Sequence, residues 1–177
     1  MKRLIISTLL AGIAMTAPAA TASAQDFNPF EIGGAAGLAI PLEELDDFTD
    51  MGYNATFFVG YNPRFLPVGI RFDAAYNEFG LSDFDDGNVN VASFTGNAIF
   101  KLPTGGFTPY VIGGAGLYRV GETGFDSESR FGFNIGGGIS MPLSGFKVFV
   151  EARYNHVGGE DGAPGASFVP IVFGASF

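Results

Sequence analysis

The sequence of 177 residues has no cysteine, no tryptophan and a single histidine. The absence of cysteine excludes disulfide bonds, thiolate metal sites and a cysteine nucleophile. After residue 24 there is also no run of roughly 20 apolar residues, the length that a transmembrane helix needs. Basic residues are scarce, 9 against 18 acidic ones, and the formal charge of -9 disfavours nucleic acid as a partner. Glycine and phenylalanine are abundant, with 27 and 20 residues, which favours closely packed strands over helices.

The start of the chain has the pattern of a secretory signal peptide. Lys2 and Arg3 precede a largely apolar stretch, and Ala22-Ser23-Ala24 supplies small residues for cleavage. We therefore expect a signal peptide at 1–24 and a single exported domain at 25–177.

The last nine residues alternate between two faces, as the residues of a β-strand do. Neither face carries a charge, although a strand of a soluble sandwich exposes charged residues on one side. A membrane strand, which meets lipid on one side, explains this pattern. The face expected to meet lipid comprises Val169, Ile171, Phe173, Ala175 and Phe177.

This last strand resembles that of the bacterial outer-membrane β-barrel proteins, and the chain after the leader resembles their small OmpA-type and OmpX-type members. In that family the alternating final strand ends on a phenylalanine that the barrel-insertion machinery reads. The resemblance implies that Phe173 and Phe177 form the insertion signal and that the protein is located in the cell outer membrane. Two residues depart from the family pattern: Ala175 stands where a bulky residue is favoured, and Pro170 removes a backbone donor near the strand start.

Alternation along the chain defines eight segments, each about as long as a tilted strand needs to cross the hydrocarbon layer. Eight is also the smallest common strand number of a membrane barrel. The sequence therefore predicts an all-β fold, an eight-stranded antiparallel up-and-down transmembrane β-barrel. The segments are 30–40, 51–61, 68–79, 90–102, 108–121, 130–141, 147–157 and 169–177.

The residues that we assign to the outer face of these segments carry no charge. They include Ile112 and all six tyrosines, and the tyrosines fall where the aromatic girdles of a membrane barrel lie. Short connections rich in proline and glycine alternate with longer ones, which we expect to face outside the cell. The longer connections hold most of the acidic residues. This acidic rim favours outer-membrane lipid and lipopolysaccharide as partners, bridged through divalent cations. It identifies no external protein partner.

Seven charged residues fall on the predicted inner face. Buried charges persist only when they are paired. Four arginines against three acids predict a nearly compensated network, which plugs a lumen that is only just wide enough for side chains. The alternative is that these charges line or gate an ion path. The residues are Glu31, Arg71, Asp73, Arg119, Arg130, Glu151 and Arg153.

No sequence pattern supports catalysis. The single histidine, His156, has no Ser or Asp beside it in the sequence, and a partner brought to it by the fold remains open. Known outer-membrane deacylases, palmitoyltransferases and omptin proteases rely on a histidine within a constellation. The segment 83–88 resembles a calcium loop only faintly, because its glycine and its twelfth position do not fit an EF-hand. We expect no catalytic residue, no metal site and no cofactor.

Three functional hypotheses remain. The first is a non-enzymatic outer-membrane barrel with a structural or surface-interaction role, a lumen plugged by charged side chains and acidic extracellular loops. The second is a narrow, porin-like channel for ions or small solutes. The third is a secreted, lipocalin-like barrel, whose apolar faces would point inward around a ligand. The terminal phenylalanine, the girdle tyrosines and the acidic connections favour the first hypothesis.

Overall fold

A computed structural model describes residues 29–46, 49–63, 65–81, 87–102, 104–122, 127–159 and 165–177, without the side chains of Glu44 and Glu122. The predicted signal peptide lies outside these residues. The described part contains one short 3-10 helix, Glu43–Leu45, and eight strands. The strands are β1 (Phe30–Leu42), β2 (Gly52–Tyr61), β3 (Val68–Gly80), β4 (Asn88–Lys101), β5 (Thr108–Glu122), β6 (Glu128–Pro142), β7 (Lys147–Val157) and β8 (Ala166–Ser176).

The strands form one closed antiparallel barrel in which each strand pairs with its neighbours along the chain. Closure comes from β1 and β8, whose ladder starts with Gly33 opposite Ser176. Next to this ladder, the backbones of Ile32 and Phe177 exchange two hydrogen bonds, of 3.1 and 2.9 Å. The predicted fold class is confirmed. Within the described ranges, no helix is long and apolar enough to cross a membrane.

The two ends of the barrel differ. At one end lie the start of β1, the end of β8 and the short connections after β2, β4 and β6; we call it the turn end. At the other end lie the longer connections after β1, β3, β5 and β7; we call it the loop end. Two tight turns at the turn end contain Gly105 and Gly145 at φ values of 102° and 91°. Glycine is required there because other residues rarely adopt this conformation.

On seven strands the apolar and tyrosine residues that were predicted on the outer face do point outward. Phe94 and Phe131 expose 71% and 67% of their surface, and Phe173 of the last strand exposes 62%. Polar side chains such as Asn54 and Asn77 are instead buried in the lumen, at 3% and 1% exposure. A lipocalin-like barrel would have the reverse arrangement, and the secreted-lipocalin hypothesis is therefore wrong.

Strand β5 faces the opposite way from the prediction. Tyr110, Ile112 and Tyr118 were expected on the outer face, but they are buried in the lumen at 5%, 2% and 0% exposure. Arg119, expected in the lumen, is consequently exposed on the outer face. The girdle position is thus wrong for two of the six tyrosines.

The glycines of the neighbouring strand β6 explain this orientation. A Cβ atom at Gly132 would lie 2.8 Å from the ring of Tyr118, and one at Gly138 would lie 2.5 Å from Oη of Tyr110. The two tyrosine side chains therefore occupy space that glycine leaves free inside the barrel. Filling this space with large side chains restores close packing, which protein interiors require.

Two apolar layers lie inside the barrel on either side of its charged middle. The layer near the loop end consists of Ala39, Phe79, Val89, Val91, Tyr118, Val157 and Phe168, with Leu45 and Leu81 packed against it. The layer toward the turn end consists of two groups, Phe58, Phe149 and Val172 in one and Ile99, Tyr110 and Ile112 in the other. Apolar side chains therefore lie on both sides of the charged residues in the middle of the barrel.

Candidate functional site in the barrel interior

Four charged side chains meet in the middle of the lumen. Arg71 and Asp73 belong to β3, and Glu151 and Arg153 belong to β7. Because alternate residues of a strand share a face, each pair projects inward and the two pairs meet across the barrel. We call these four residues the central ring. Its ion pairs are Arg71 Nε–Asp73 Oδ1 (2.9 Å), Arg71 Nη2–Glu151 Oε1 (2.8 Å), Arg153 Nη1–Asp73 Oδ2 (2.6 Å) and Arg153 Nε–Glu151 Oε1 (2.8 Å).

The central ring is buried and electrically neutral. Each guanidinium contacts both carboxylates, and the four side chains expose between 1% and 9% of their surface. Buried charges are costly to desolvate, so they are stable only when good geometry and further hydrogen bonds compensate them. Removal of one member would leave an uncompensated charge in the lumen. The four side chains are therefore stable in the lumen only as a complete set.

Neutral side chains add hydrogen bonds to the ring. The hydroxyl group of Tyr110 donates to Glu151 Oε2 over 2.7 Å, and Asn97 Nδ2 donates to Asp73 Oδ2 over 3.0 Å. Both donors were missed in the sequence. Tyr110 was placed on the outer face, and Asn97 carries no charge that would draw attention to it. Asn97 shares one face of its strand with Thr95 and Ile99, which are also buried, and this alternation could have indicated that Asn97 points inward.

Two glycines of β6 make room for the ring. In the register with β7, Gly136 stands opposite Arg153 and Gly138 opposite Glu151. A Cβ atom at Gly136 would lie 2.5 Å from Cγ of Arg153, and one at Gly138 would lie 2.5 Å from Oη of Tyr110. The wall of the barrel is bare at this level, and the side chains of the ring and of Tyr110 occupy the space.

A second polar cluster surrounds Glu31 at the turn end. Its Oε1 accepts a hydrogen bond from Ser176 (2.6 Å) and pairs with Lys147 (3.1 Å). Its Oε2 accepts hydrogen bonds from Asn62 (2.8 Å) and Lys101 (3.2 Å). This one carboxylate thus connects β1 to β4, β7, β8 and the turn after β2. Neither lysine was predicted among the lumen charges, because both lie at the ends of their segments, beside the short turns.

The remaining predicted lumen charges join neither cluster. Arg130 lies at the loop end of β6, where its Nη2 atom pairs with Oε2 of Glu128 over 2.7 Å. Arg119 lies on the outer face, so its prediction as a lumen residue is wrong. The structure therefore places four of the seven predicted residues in the central ring, Glu31 in a separate cluster, and Arg119 and Arg130 elsewhere.

The fold brings a serine to the single histidine. Nδ1 of His156 lies 3.0 Å from Oγ of Ser167, and the hydroxyl group of Tyr154 lies 3.0 Å from the same atom. Ser167 has no exposed surface, and the ring of His156 packs against Phe133 at 5.3 Å between centroids. A nucleophile must be reachable by its substrate, and this hydroxyl group is covered and already has two partners. The contact is that of a packed cross-strand cluster.

The described residues contain no group of three or more histidine, aspartate or glutamate side chains that could hold a metal ion. The calcium-loop segment weighed in the sequence analysis lies largely outside these residues, since 82–86 are not described.

The family of the chain follows from a comparison with protein families. Residues 7–177 match the family model described as outer membrane protein beta-barrel domain. The chain belongs to this family. Its place is accordingly the outer membrane, and the apolar exterior described above is the surface that meets lipid. No curated protein matches the sequence.

Solved structures of other outer-membrane barrels share this fold. Neisserial surface protein A is similar at a TM-score of 0.68 and 17% identity, with 84% of this chain and 96% of that chain covered. Ail, the attachment invasion locus protein of Yersinia pestis, is similar at a TM-score of 0.51 and 20% identity, with 83% of this chain and 98% of that chain covered. The outer membrane enzyme PagL is similar at a TM-score of 0.52 and 14% identity, with 81% of this chain and 97% of that chain covered. At such identities the likeness shows the fold alone, and because one of the three proteins is an enzyme, function must be argued from the chain's own residues.

Proposed function

We propose that the protein is a non-enzymatic outer-membrane barrel with a structural or surface-interaction role, whose lumen does not conduct. The observation that supports this most directly is the neutral central ring between two apolar layers. A continuous path for ions would have to pass all three levels. An eight-stranded barrel has an interior just wide enough for its own side chains, and here large side chains occupy it.

The energetic cost of opening the ring supports a plug. Breaking a buried pair by removing one partner costs about 3–5 kcal/mol, because a charge is left without compensation. A gate would have to separate Arg71 from Glu151 and Asp73, and Arg153 from the same two carboxylates. The guanidinium group of Arg71 also lies 4.6 Å from the centroid of the Phe58 ring, which fixes it from the turn end.

The absence of catalysis is part of the proposal. The His156–Ser167 contact is the arrangement among the described residues closest to a catalytic pair, and its serine is fully buried. The expected result is that purified protein releases no fatty acid from phospholipid or lipopolysaccharide. Release that disappears in both Ser167→Ala and His156→Ala variants would establish an enzyme instead.

The experiment that tests the closed lumen is single-channel recording in planar bilayers. Folded protein is first identified by a band that shifts between unheated and boiled samples in detergent gels. The expected record has no discrete conductance steps. Arg130→Gln serves as the matched control, since it removes an arginine at the loop end and leaves the central ring intact. Conductance steps that change in Arg71→Gln and not in Arg130→Gln would overturn the closed lumen.

A narrow channel is the second candidate, and one observation favours it. Small cavities of about 20 Å³ lie on both sides of the ring, one lined by residues including Glu31 and Lys101, the other by residues including Asn54 and Asn155. Each is large enough to hold water. A rearrangement of the ring would have to join them, and the apolar layer at the loop end would still close the path. Discrete steps in the recording would favour this candidate.

The surface role falls to the long connections, where most acidic residues of the sequence lie. We propose outer-membrane lipid and lipopolysaccharide as their neighbours, bridged by divalent cations. We also propose that the insertion machinery reads Phe173 and Phe177, both of which are exposed on the outer face. The test is the yield of folded protein in the outer membrane: Phe177→Ala should lower it, whereas Phe94→Ala, which removes the same side chain from the outer face of β4, should not.

A further inference from the structure

The orientation of β5 places a single arginine at a boundary on the outer wall. Arg119 is exposed and stands in register between Ala92 of β4 and Ser129 of β6. Both neighbours are small, so the guanidinium group is open from either side. The row of outward residues on the turn-end side of Arg119 is apolar and highly exposed: Phe94 at 71%, Leu117 at 60% and Phe131 at 67%.

The next row toward the loop end is polar and includes the charged Glu78, which stands opposite Asn90. It holds Asn90 opposite Gly121, with Ser127 at the same level. A Cβ atom at Gly121 would lie 2.9 Å from both Asn90 Oδ1 and Ser127 Oγ, so polar side chains cover this position. Arg119 therefore lies where the apolar belt ends, one residue pair beyond its last exposed row. That spacing is about 7 Å along a strand. In a membrane barrel this is the level of the lipid headgroups.

Arg119 differs in its contacts from the other outward charge of the described strands, Glu78. The carboxylate of Glu78 accepts hydrogen bonds from Tyr76 Oη (2.9 Å) and Asn88 Nδ2 (3.0 Å), so it has partners within the protein. Among the described residues Arg119 has no ion pair or side-chain hydrogen bond. An arginine on a lipid-facing wall costs little near the interface, about 0–1 kcal/mol, and more in the hydrocarbon layer. Its five donors remain available for a ligand.

We propose that Arg119 is the centre of a binding site for the phosphate group of a membrane lipid, with Ser129 as a second donor. The planar guanidinium group binds phosphate through two parallel hydrogen bonds, and phosphate is the anion found at headgroup level. The site is shallow and borders the exposed rings of Phe94 and Phe131, which contact the acyl chains of the same lipid. This proposal rests on the outer-membrane location and is independent of whether the lumen conducts.

The test measures lipid binding to isotope-labelled, folded protein in micelles of an uncharged detergent. The probe is a short-chain phosphatidylglycerol, and the readout is the NMR signal of the Arg119 Nε–H group, together with lipid retained in native mass spectrometry. Binding to wild-type protein should shift this signal. Arg119→Gln should weaken retention at least tenfold, and Arg119→Lys, which keeps the charge and loses the paired donors, should fall between.

The matched control is Arg130→Gln. It also removes one arginine at the loop end, but from the inner face of the barrel, so the amount of lipid retained should not change. Equal retention by Arg119→Gln and wild type would overturn the proposal, as would equal binding of a phosphate-free glycolipid with the same acyl chains. Inorganic phosphate that shifts the Arg119 signal as strongly as the lipid would overturn the commitment to a lipid. If Arg119→Gln does not fold, the titration of wild type decides alone: no shift of the Nε–H signal with phosphatidylglycerol overturns the site.

Discussion

The hydroxyl group of Tyr110 donates a hydrogen bond of 2.7 Å to Glu151 across the inside of the barrel. This contact joins β5 to β7 over the bare stretch of β6 at Gly138. It shows that the charged interior depends on an uncharged residue and on a residue without a side chain. Neither would be selected by looking for charges in the sequence.

Replacing Tyr110 by Phe should lower the free energy of unfolding by about 1–3 kcal/mol, because Oε2 of buried Glu151 loses its donor. The measurement is urea-induced unfolding of protein refolded in detergent, followed by the heat-modifiable gel band. Tyr76→Phe is the control, since its hydroxyl group donates to a carboxylate at an exposed site, and we expect a change within about 0.5 kcal/mol. Equal losses in the two variants would contradict the importance of burial.

Replacing Gly138 by Ala should destabilise the barrel by about 1–3 kcal/mol, as overpacked interiors generally are. The added methyl group would lie 2.5 Å from Tyr110 Oη and 2.5 Å from the carbonyl oxygen of Val150, and the backbone of Val150 cannot move aside easily. Gly96→Ala is the control, because its nearest neighbour, a ring atom of Phe72, would lie at an ordinary 3.5 Å. Thermal unfolding of both variants is the measurement. A stable Gly138→Ala barrel would show that Tyr110 is not held as described.

Replacing Glu31 by Gln should loosen the turn end. Lys101 and Lys147 would then face each other without the carboxylate between them, and the link from β1 to Ser176 of β8 would weaken. We expect unfolding at a lower urea concentration and faster hydrogen exchange of the Ile32 and Phe177 amides. The control is Glu128→Gln, since Glu128 is 65% exposed and surface pairs contribute about 0–1 kcal/mol. Unchanged exchange at the β1–β8 ladder would argue against a role in closure.

Replacing Glu43 by Gly should stabilise the protein. Glu43 begins the 3-10 helix after β1 at a φ of 56°, a left-handed conformation that costs a residue with a Cβ atom about 1–2 kcal/mol. Glycine removes this strain, although its greater freedom in the unfolded chain offsets part of the gain. Glu43→Ala keeps the strain and should show no gain. A gain of the same size in both variants would point to the lost charge as its cause.

The sequence was sufficient to predict most of the fold and only part of the site. Strand positions followed from alternation, and the outward faces of seven strands were right because one face of each is plainly more apolar. Strand β5 lacks that contrast: Tyr110 and Ile112 alternate with Val111, which exposes 54% of its surface, so both faces look alike. Its orientation is decided by glycines on β6, a long-range packing effect that the pattern of one strand does not contain.

The same limit applies to the charges. Arg71, Asp73, Glu151 and Arg153 were found because alternation within β3 and β7 is clear. The division into a central ring and a separate cluster at the turn end was not foreseen, because it depends on which strands face each other across the barrel. Alternation gives the face of a residue and not its height along the axis. Height follows from the register, which pairing fixes only in the folded state.

The apolar layer near the loop end has a consequence for how this protein changes over evolutionary time. Phe79, Phe168 and their neighbours lie between the loop end and the central ring. A polar link from this layer to the ring runs from the hydroxyl group of Tyr118 to Asn155 and from Asn155 Nδ2 to the backbone carbonyl oxygen of Arg153, so it reaches the backbone of Arg153 and not its guanidinium group. Mutations in the connections at the loop end should therefore leave the ion pairs of the central ring unchanged. We expect the connections at the loop end to vary freely in evolution and to accept inserted peptides without loss of the barrel fold.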